Sequence, residues 1–182
     1  QKYLAPLIEA MRDGQTVELQ YKSFWRQDEY TVEVEPYLVK IFRQRWYLLA
    51  RVVGKGVLRI YALDRILGLR QTENTFSMPK TFSADDYFYN SFGIISQDNC
   101  PPEFIELKVY GTQRKYFRTL PLHHSQQEIE NADEYSVFRY YLSPTYDFVQ
   151  EILSHGCEVE VLSPKHVRDE VRWHAEVIVS RG

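Results

Sequence analysis

Residues Lys40 to Arg70 read KIFRQRWYLLARVVGKGVLRIYALDRILGLR, and this stretch decides the fold. Two apolar runs, RWYLLARVV and VLRIYALDRI, flank Gly54-Lys55-Gly56, the pattern of two antiparallel strands joined by a short glycine turn. The same stretch holds Lys40, Arg43, Arg45, Arg51, Lys55, Arg59, Arg65 and Arg70 against Asp64 alone, although the 182-residue chain carries a net charge of -3. Positive charge gathered on an ordered hairpin is what an anion-binding surface requires.

Upstream, Tyr3, Leu4, Leu7, Ile8 and Met11 recur at the spacing of one helical face, and Gly14 follows where the helix stops. Val17, Leu19 and Tyr21 then alternate with Glu18, Gln20 and Lys22, as in a half-buried strand. Tyr30, Val32 and Val34 alternate in the same way until Pro36, which marks a bulge or an edge. At least four short strands joined by tight turns predict a small barrel or a strongly bent sheet. Gln71 to Cys100 is rich in aromatics, and it reads as a connector that packs along both domains and fixes their orientation.

Beyond Pro101-Pro102, Phe104–Tyr110 reads as a strand, Gln113–Leu120 as a short helix, and Gln127–Glu130 and Tyr135–Leu142 as strands. Thr145–Ser154 is a helix with Gly156 past its end, Cys157–Leu162 alternates as a strand, and Pro164 opens a last helix. That order predicts a ferredoxin-like α/β sandwich with an extra terminal helix. Residues 1–90 hold 13 Lys+Arg and 11 Asp+Glu, residues 91–182 hold 9 and 14, so a boundary is placed near Ser91. The fold class is α+β, with domains at 1–90 and 91–182.

With 44% hydrophobic residues the chain can bury a core unaided. Its apolar runs fall far short of the roughly 20 residues that cross a bilayer, and no leader precedes the first helix, which points away from membranes and to the cytoplasm. Cys100 and Cys157 match no paired-ligand spacing and fit unlinked thiols; Cys157 reads as a small buried residue beginning its strand. His123, His124, His155, His166 and His174 show no metal spacing, and Asp85-Asp86 reads as a helix start. No phosphate-binding glycine loop, nucleophile elbow or HExxH pattern occurs, so no residue calls for an enzyme or a cofactor. The chain begins Gln1-Lys2-Tyr3 without methionine and reads as a piece of a longer protein.

Trp46-Tyr47-Leu48, followed by Arg59-x-Tyr61-x-Leu63-Asp64-Arg65-Ile66, resembles the signature of the WYL domain family. The resemblance extends upstream through Leu19-Gln20-Tyr21 and Glu35-Pro36-Tyr37. Downstream, residues 118–126 and 152–164 resemble the C-terminal extension that often follows that domain. It implies an Sm-like or SH3-like barrel with an N-terminal helix. It also implies the regulatory region of a bacterial transcriptional regulator whose DNA-binding winged helix-turn-helix lies upstream. In that family the barrel is a sensor with a basic pocket for nucleic acid or a nucleotide, and the protein works as a homodimer.

On an unbroken strand from Leu58 to Ile66, Arg59, Tyr61, Leu63 and Arg65 share one face. Two guanidinium forks beside a phenol ring suit a phosphate and a stacked base. On the partner strand Tyr47, Leu49 and Arg51 share one face and Trp46, Leu48 and Ala50 the other, and either set could meet the pocket. Trp46 and Leu48 read as core, and Arg59 is the first choice for a ligand contact. Arg65 has two readings, a ligand contact or a partner of a carboxylate. Tyr21 reads as core with its hydroxyl at the pocket edge, and Tyr47 is undecided. Arg45 and Arg51, also candidate ligand contacts, have the alternative of a solvated rim with Arg43, Lys55 and Arg70. A different class of function, a dimerisation or protein-interaction module without a small ligand, would bury this basic face in an interface instead.

Overall fold

The alternation that ends at Tyr21 and resumes at Tyr30 forms a hairpin, and the rest of the first sheet is laid down beside it. The computed structural model describes residues 2–24, 28–95 and 100–182, which fall into two compact units, Gln1–Ala84 and Asp85–Gly182. In the first unit helix α1 (Leu4–Asp13) precedes strands β1 (Gln15–Lys22), β2 (Glu29–Phe42), β3 (Arg45–Val52), β4 (Leu58–Ala62) and β5 (Ile66–Thr75). They form one antiparallel sheet in the order β4-β3-β2-β1-β5. β4 and β5, consecutive in the chain, therefore lie at opposite ends of that order. The β2–β3 register shifts between Pro36 and Leu38, so Pro36 stands at a bulge.

Register settles which residues face inward. Leu48 is paired with Tyr61 and Ala50 with Arg59, while Val17, Leu19 and Tyr21 oppose Val34, Val32 and Tyr30. Directly opposed residues share a face, so Leu48 and Ala50, both 0% exposed, lie on the same side as Arg59 and Tyr61. On that side Leu7 and Ala10 of α1 join Val17, Leu19, Leu48 and Leu63 in one core, with Trp46 packed against it.

The strand expected to run unbroken from Leu58 to Ile66 does not. β4 stops at Ala62, Leu63–Arg65 form a single 3-10 turn, and β5 departs from Ile66. The cause is local. The Ala62 N–H donates to the Tyr21 hydroxyl at 3.2 Å, and the turn sends Leu63 into the core. Leu63 thus reaches that core from the turn rather than from the strand. β5 extends through Thr75 into what read as connector, and past it Phe76 and Phe82 pack on Tyr37, with ring centroids 6.0 and 4.9 Å away. Residues 96–99 of that connector lie outside the described residues.

Helix α2 (Ala84–Phe88) begins at the boundary, and the second unit continues through β6 (Glu103–Tyr110), α3 (Gln113–Thr119), β7 (Gln127–Asn131), β8 (Tyr135–Leu142), α4 (Tyr146–Ser154), β9 (Val159–Ser163) and α5 (Lys165–Ser180). Its antiparallel sheet has the order β7-β8-β6-β9. Ile105, Leu107 and Val109 of β6 pack with Phe138, Tyr140, Phe148 and Val167 in a second core, and Phe92 lies against Phe148 at 5.5 Å. Asp85 and Asp86 sit in the first turn of α2, where acidic side chains favour the helix dipole. Cys157 departs from its reading: it is exposed, in a 3-10 turn over Gly156–Glu158, and β9 begins only at Val159. Gly156 adopts a φ of 60°, and the chain spends one more turn there before extending.

The β2–β3 turn is made by Arg43 and Gln44 at φ 46° and 65°, a conformation that side chains disfavour. Gln44→Gly should therefore raise stability by about 0.5–1 kcal/mol, read as a shift in urea midpoint at constant slope. Glu33 Oε1 accepts from Thr16 at 2.5 Å and from the Asn74 side chain at 2.8 Å, tying β1, β2 and β5 together. These hydrogen bonds hold its carboxyl below the ordinary value, Asn74 contributing most. A lowered folded-state value stabilises above the unfolded one and is lost as pH falls, so stability should decline below about pH 4.3. Glu33→Gln should flatten that decline in urea titrations between about pH 2 and 5.

Candidate anion-binding site

The inner face of the first sheet is not filled along its whole length. Beyond Val32 and Val52 it opens into a cavity of about 670 Å³, lined by Tyr21, Tyr30, Arg59, Tyr61 and Arg65 together with Ser23, Thr31 and Lys55. Side chains from several elements contribute. Tyr21 stands next to the end of β1 and Tyr30, its paired residue, next to the start of β2, Arg59 and Tyr61 come from β4, and Arg65 closes the 3-10 turn. Lys55 comes from the glycine loop, where Gly54 and Gly56 hold φ values of 77° and 68° and close the β3–β4 connection. The Tyr21 ring meets Tyr61 edge-on at 5.1 Å and Tyr30 at 5.8 Å, so the aromatic wall is a packed unit.

The electrostatics are one-sided. Lys55, Arg59 and Arg65 line the cavity, and no carboxylate does among the described lining residues. Burial raises the Tyr61 phenol far above its ordinary value, and raises that of Tyr21 against the opposing pull of the Ala62 N–H and Arg65. Both phenols stay neutral at ordinary pH and supply no counter-charge. The Arg65 guanidinium lies 3.9 Å from the ring centroid of Phe24, and its Nε is buried without a hydrogen-bond partner among the described residues. Leaving such a donor unmet costs about 1–3 kcal/mol or more. The arrangement is complementary to an anion with a flat face, which would meet the guanidiniums and the tyrosine edges together.

Of the residues singled out in the sequence, Arg59, Tyr61, Arg65 and Tyr21 meet at this cavity. Tyr47, Arg45 and Arg51 do not line it. Tyr47 is paired with Ala62, and with Arg51 it lies on the sheet face opposite Arg59. Arg51 instead reaches Glu35 at 3.5 Å, and Arg45 reaches Asp64 at 3.2 Å. The carboxylate beside Arg65 in sequence is thus occupied by another arginine. Arg70 pairs with Glu18 at 3.1 Å. Sequence reasoning missed Tyr30 and Phe24 and left Lys55 on the rim. Tyr30 could have been found, since Tyr30, Val32 and Val34 alternate on one face that must meet Tyr21, Leu19 and Val17 across a short hairpin. Among the described residues no group of three or more His, Cys, Asp or Glu side chains could hold a metal ion. No described helix is long and apolar enough to cross a membrane.

The WYL domain family matches residues 2–71 and the WCX domain family residues 101–179. No curated protein matches the chain. Among solved structures, one of a CRISPR Cas-related protein aligns with a TM-score of 0.57 at 13% identity, over 97% of this chain and 50% of that one. Proteasome accessory factor B/C (PafBC) of Arthrobacter aurescens aligns over 94% of this chain and 26% of that one, at 19% identity and a TM-score of 0.42. The present chain thus spans half or less of either structure. The cavity lies within the first matched segment, and the two matches together give the chain a WYL domain followed by a WCX domain.

Proposed function

We propose that the chain is the ligand-sensing region of a WYL-type transcriptional regulator. The first unit is an Sm-like or SH3-like barrel that takes an anionic ligand, nucleic acid or a nucleotide, between Arg59 and Arg65. The second is a ferredoxin-like sandwich that supports homodimerisation or relays occupancy to a DNA-binding domain elsewhere in the protein. The observation that carries the reading is a cavity lined by Lys55, Arg59 and Arg65 and by no described carboxylate. The WYL assignment supports it, and so does the topology. Strand order β4-β3-β2-β1-β5 with a 3-10 turn before the last strand suits a small closed barrel, and β7-β8-β6-β9 suits a split βαβ sandwich.

Charge-assisted hydrogen bonds contribute about 1.5–3 kcal/mol each. Replacing both arginines, Arg59→Ala with Arg65→Ala, should weaken binding of a fluorescent single-stranded oligonucleotide at least about a hundredfold by that measure, and flatten its dependence on salt. Fluorescence anisotropy across a salt series reads both effects. An unchanged affinity and slope in the double variant would remove the site. Tyr61→Phe, which keeps the ring, should retain most of the binding.

A further inference from the structure

The sheet of the second unit has a face turned away from its core. Ile105, Leu107 and Val109 of β6 point into that core, so Phe104, Glu106, Lys108 and Tyr110 occupy the other side. Across from them on β8 stand Tyr141, Arg139 and Tyr135, paired with Phe104, Glu106 and Tyr110. At one end the aromatics are accounted for. The Tyr110 and Tyr135 hydroxyls donate to Glu160 and Glu130 at 2.7 Å each, and Lys108 covers the Tyr135 ring at 3.9 Å. At the other end they are bare: Phe104 is 63% exposed and Tyr141 41%, their rings 5.0 Å apart.

A cross-strand aromatic pair contributes something to the sheet by itself, about 0.2–1 kcal/mol. It does not explain the cavity of about 280 Å³ that opens beside it. That cavity is lined by Phe104 and Tyr141, by Tyr89 and His124, and by Arg139 and Ser125. The Tyr89 and His124 rings lie 4.2 Å apart, so aromatic planes reach the cavity from the loops as well as from the sheet. Arg139 is held by Glu106 through Nε at 3.0 Å and Nη2 at 2.8 Å, which fixes the guanidinium and cancels its charge. Polar side chains stand along the edge, Gln127 and Asn90, while the Ser125 hydroxyl is held by the Tyr141 N–H at 2.9 Å and by His123 Nδ1 at 2.7 Å.

We propose that this cavity takes one unpaired nucleobase of a single-stranded nucleic acid. Antiparallel sheets recognise such bases by stacking them on aromatic side chains of their central strands, with polar neighbours reading the base edge. The volume lies at the small end of ligand pockets and suits one flat ring system. Phosphate attraction is not the driving force, because Arg139 is already paired and residues 91–182 hold 14 Asp+Glu against 9 Lys+Arg. The site is independent of the cationic cavity of the first unit, and binding here is insensitive to salt.

Photocrosslinking of the full chain to an iodouracil-substituted single strand of about eight nucleotides, within the range of known stacking platforms, tests the site. The expected result is a set of crosslinked peptides containing Phe104 or Tyr141. Phe104→Leu and Tyr141→Leu keep apolar bulk and remove the ring. Each should weaken binding about tenfold in roughly 0.3 M salt, where phosphate contacts contribute least. Crosslinks confined to residues 2–84, or leucine variants that bind like the unaltered chain, would overturn the proposal. Thermal melts establish that the variants are folded, and if either is not, the crosslink map of the unaltered chain decides.

Discussion

The pairing of β3 with β4 is the constraint on which the first unit depends. Because side chains alternate along a strand, a slip of one residue would exchange the two faces of β4. Leu48 opposite Tyr61, and Ala50 opposite Arg59, place a phenol and a guanidinium on the face that elsewhere forms the core. The five-residue connection from Val53 to Val57 sets that register, closed by the Val52 N–H donating to the Val57 carbonyl at 2.9 Å. A buried phenol and an exposed guanidinium thereby continue the core face, and the cavity opens beside them.

Electrostatics then separates arginines that sequence alone treats alike. The basic stretch is rich in cations, yet Arg45, Arg51 and Arg70 each lie within ion-pair distance of a carboxylate. Such exposed pairs contribute little to stability, about 0–1 kcal/mol, but they cancel much of the field that an unpaired rim would project. What remains is local. Lys55, Arg59 and Arg65 share one cavity with phenols that burial keeps neutral. The positive potential is gathered at one cavity, where Lys55 and Arg59 are exposed and Arg65 is half-buried.

Periodicity made much of this legible. The alternation of β1 and β2, the glycine-closed hairpin, and the succession of strands and helices beyond Pro101 all appear where the pattern puts them. Arg59 and Tyr61, two apart on one strand, were bound to share a face. Arg65 meets them by another route. The unbroken strand that would have placed it there is absent, and a 3-10 turn brings it to the same cavity. That turn depends on a hydrogen bond between residues 41 positions apart, which no local pattern records. The same holds for β5, whose apolar spacing is weak and whose partner is the distant β1. Tyr47 and Arg51 could not be assigned before the sheet faces were known, and Cys157 was misread because a short turn precedes its strand.

The turn from Leu63 to Arg65 has a mechanical consequence. Three consecutive residues anchor in three directions: Leu63 in the core, Asp64 on Arg45 of β3, and Arg65 at the cavity. Any rotation that draws Arg65 toward a bound molecule must be shared by its two neighbours, since one turn of 3-10 helix has no slack between them. The segment is a lever with its fulcrum in hydrophobic packing. A displacement of Arg65 would therefore be shared by Leu63 in the core and by Asp64 on Arg45 at the start of β3.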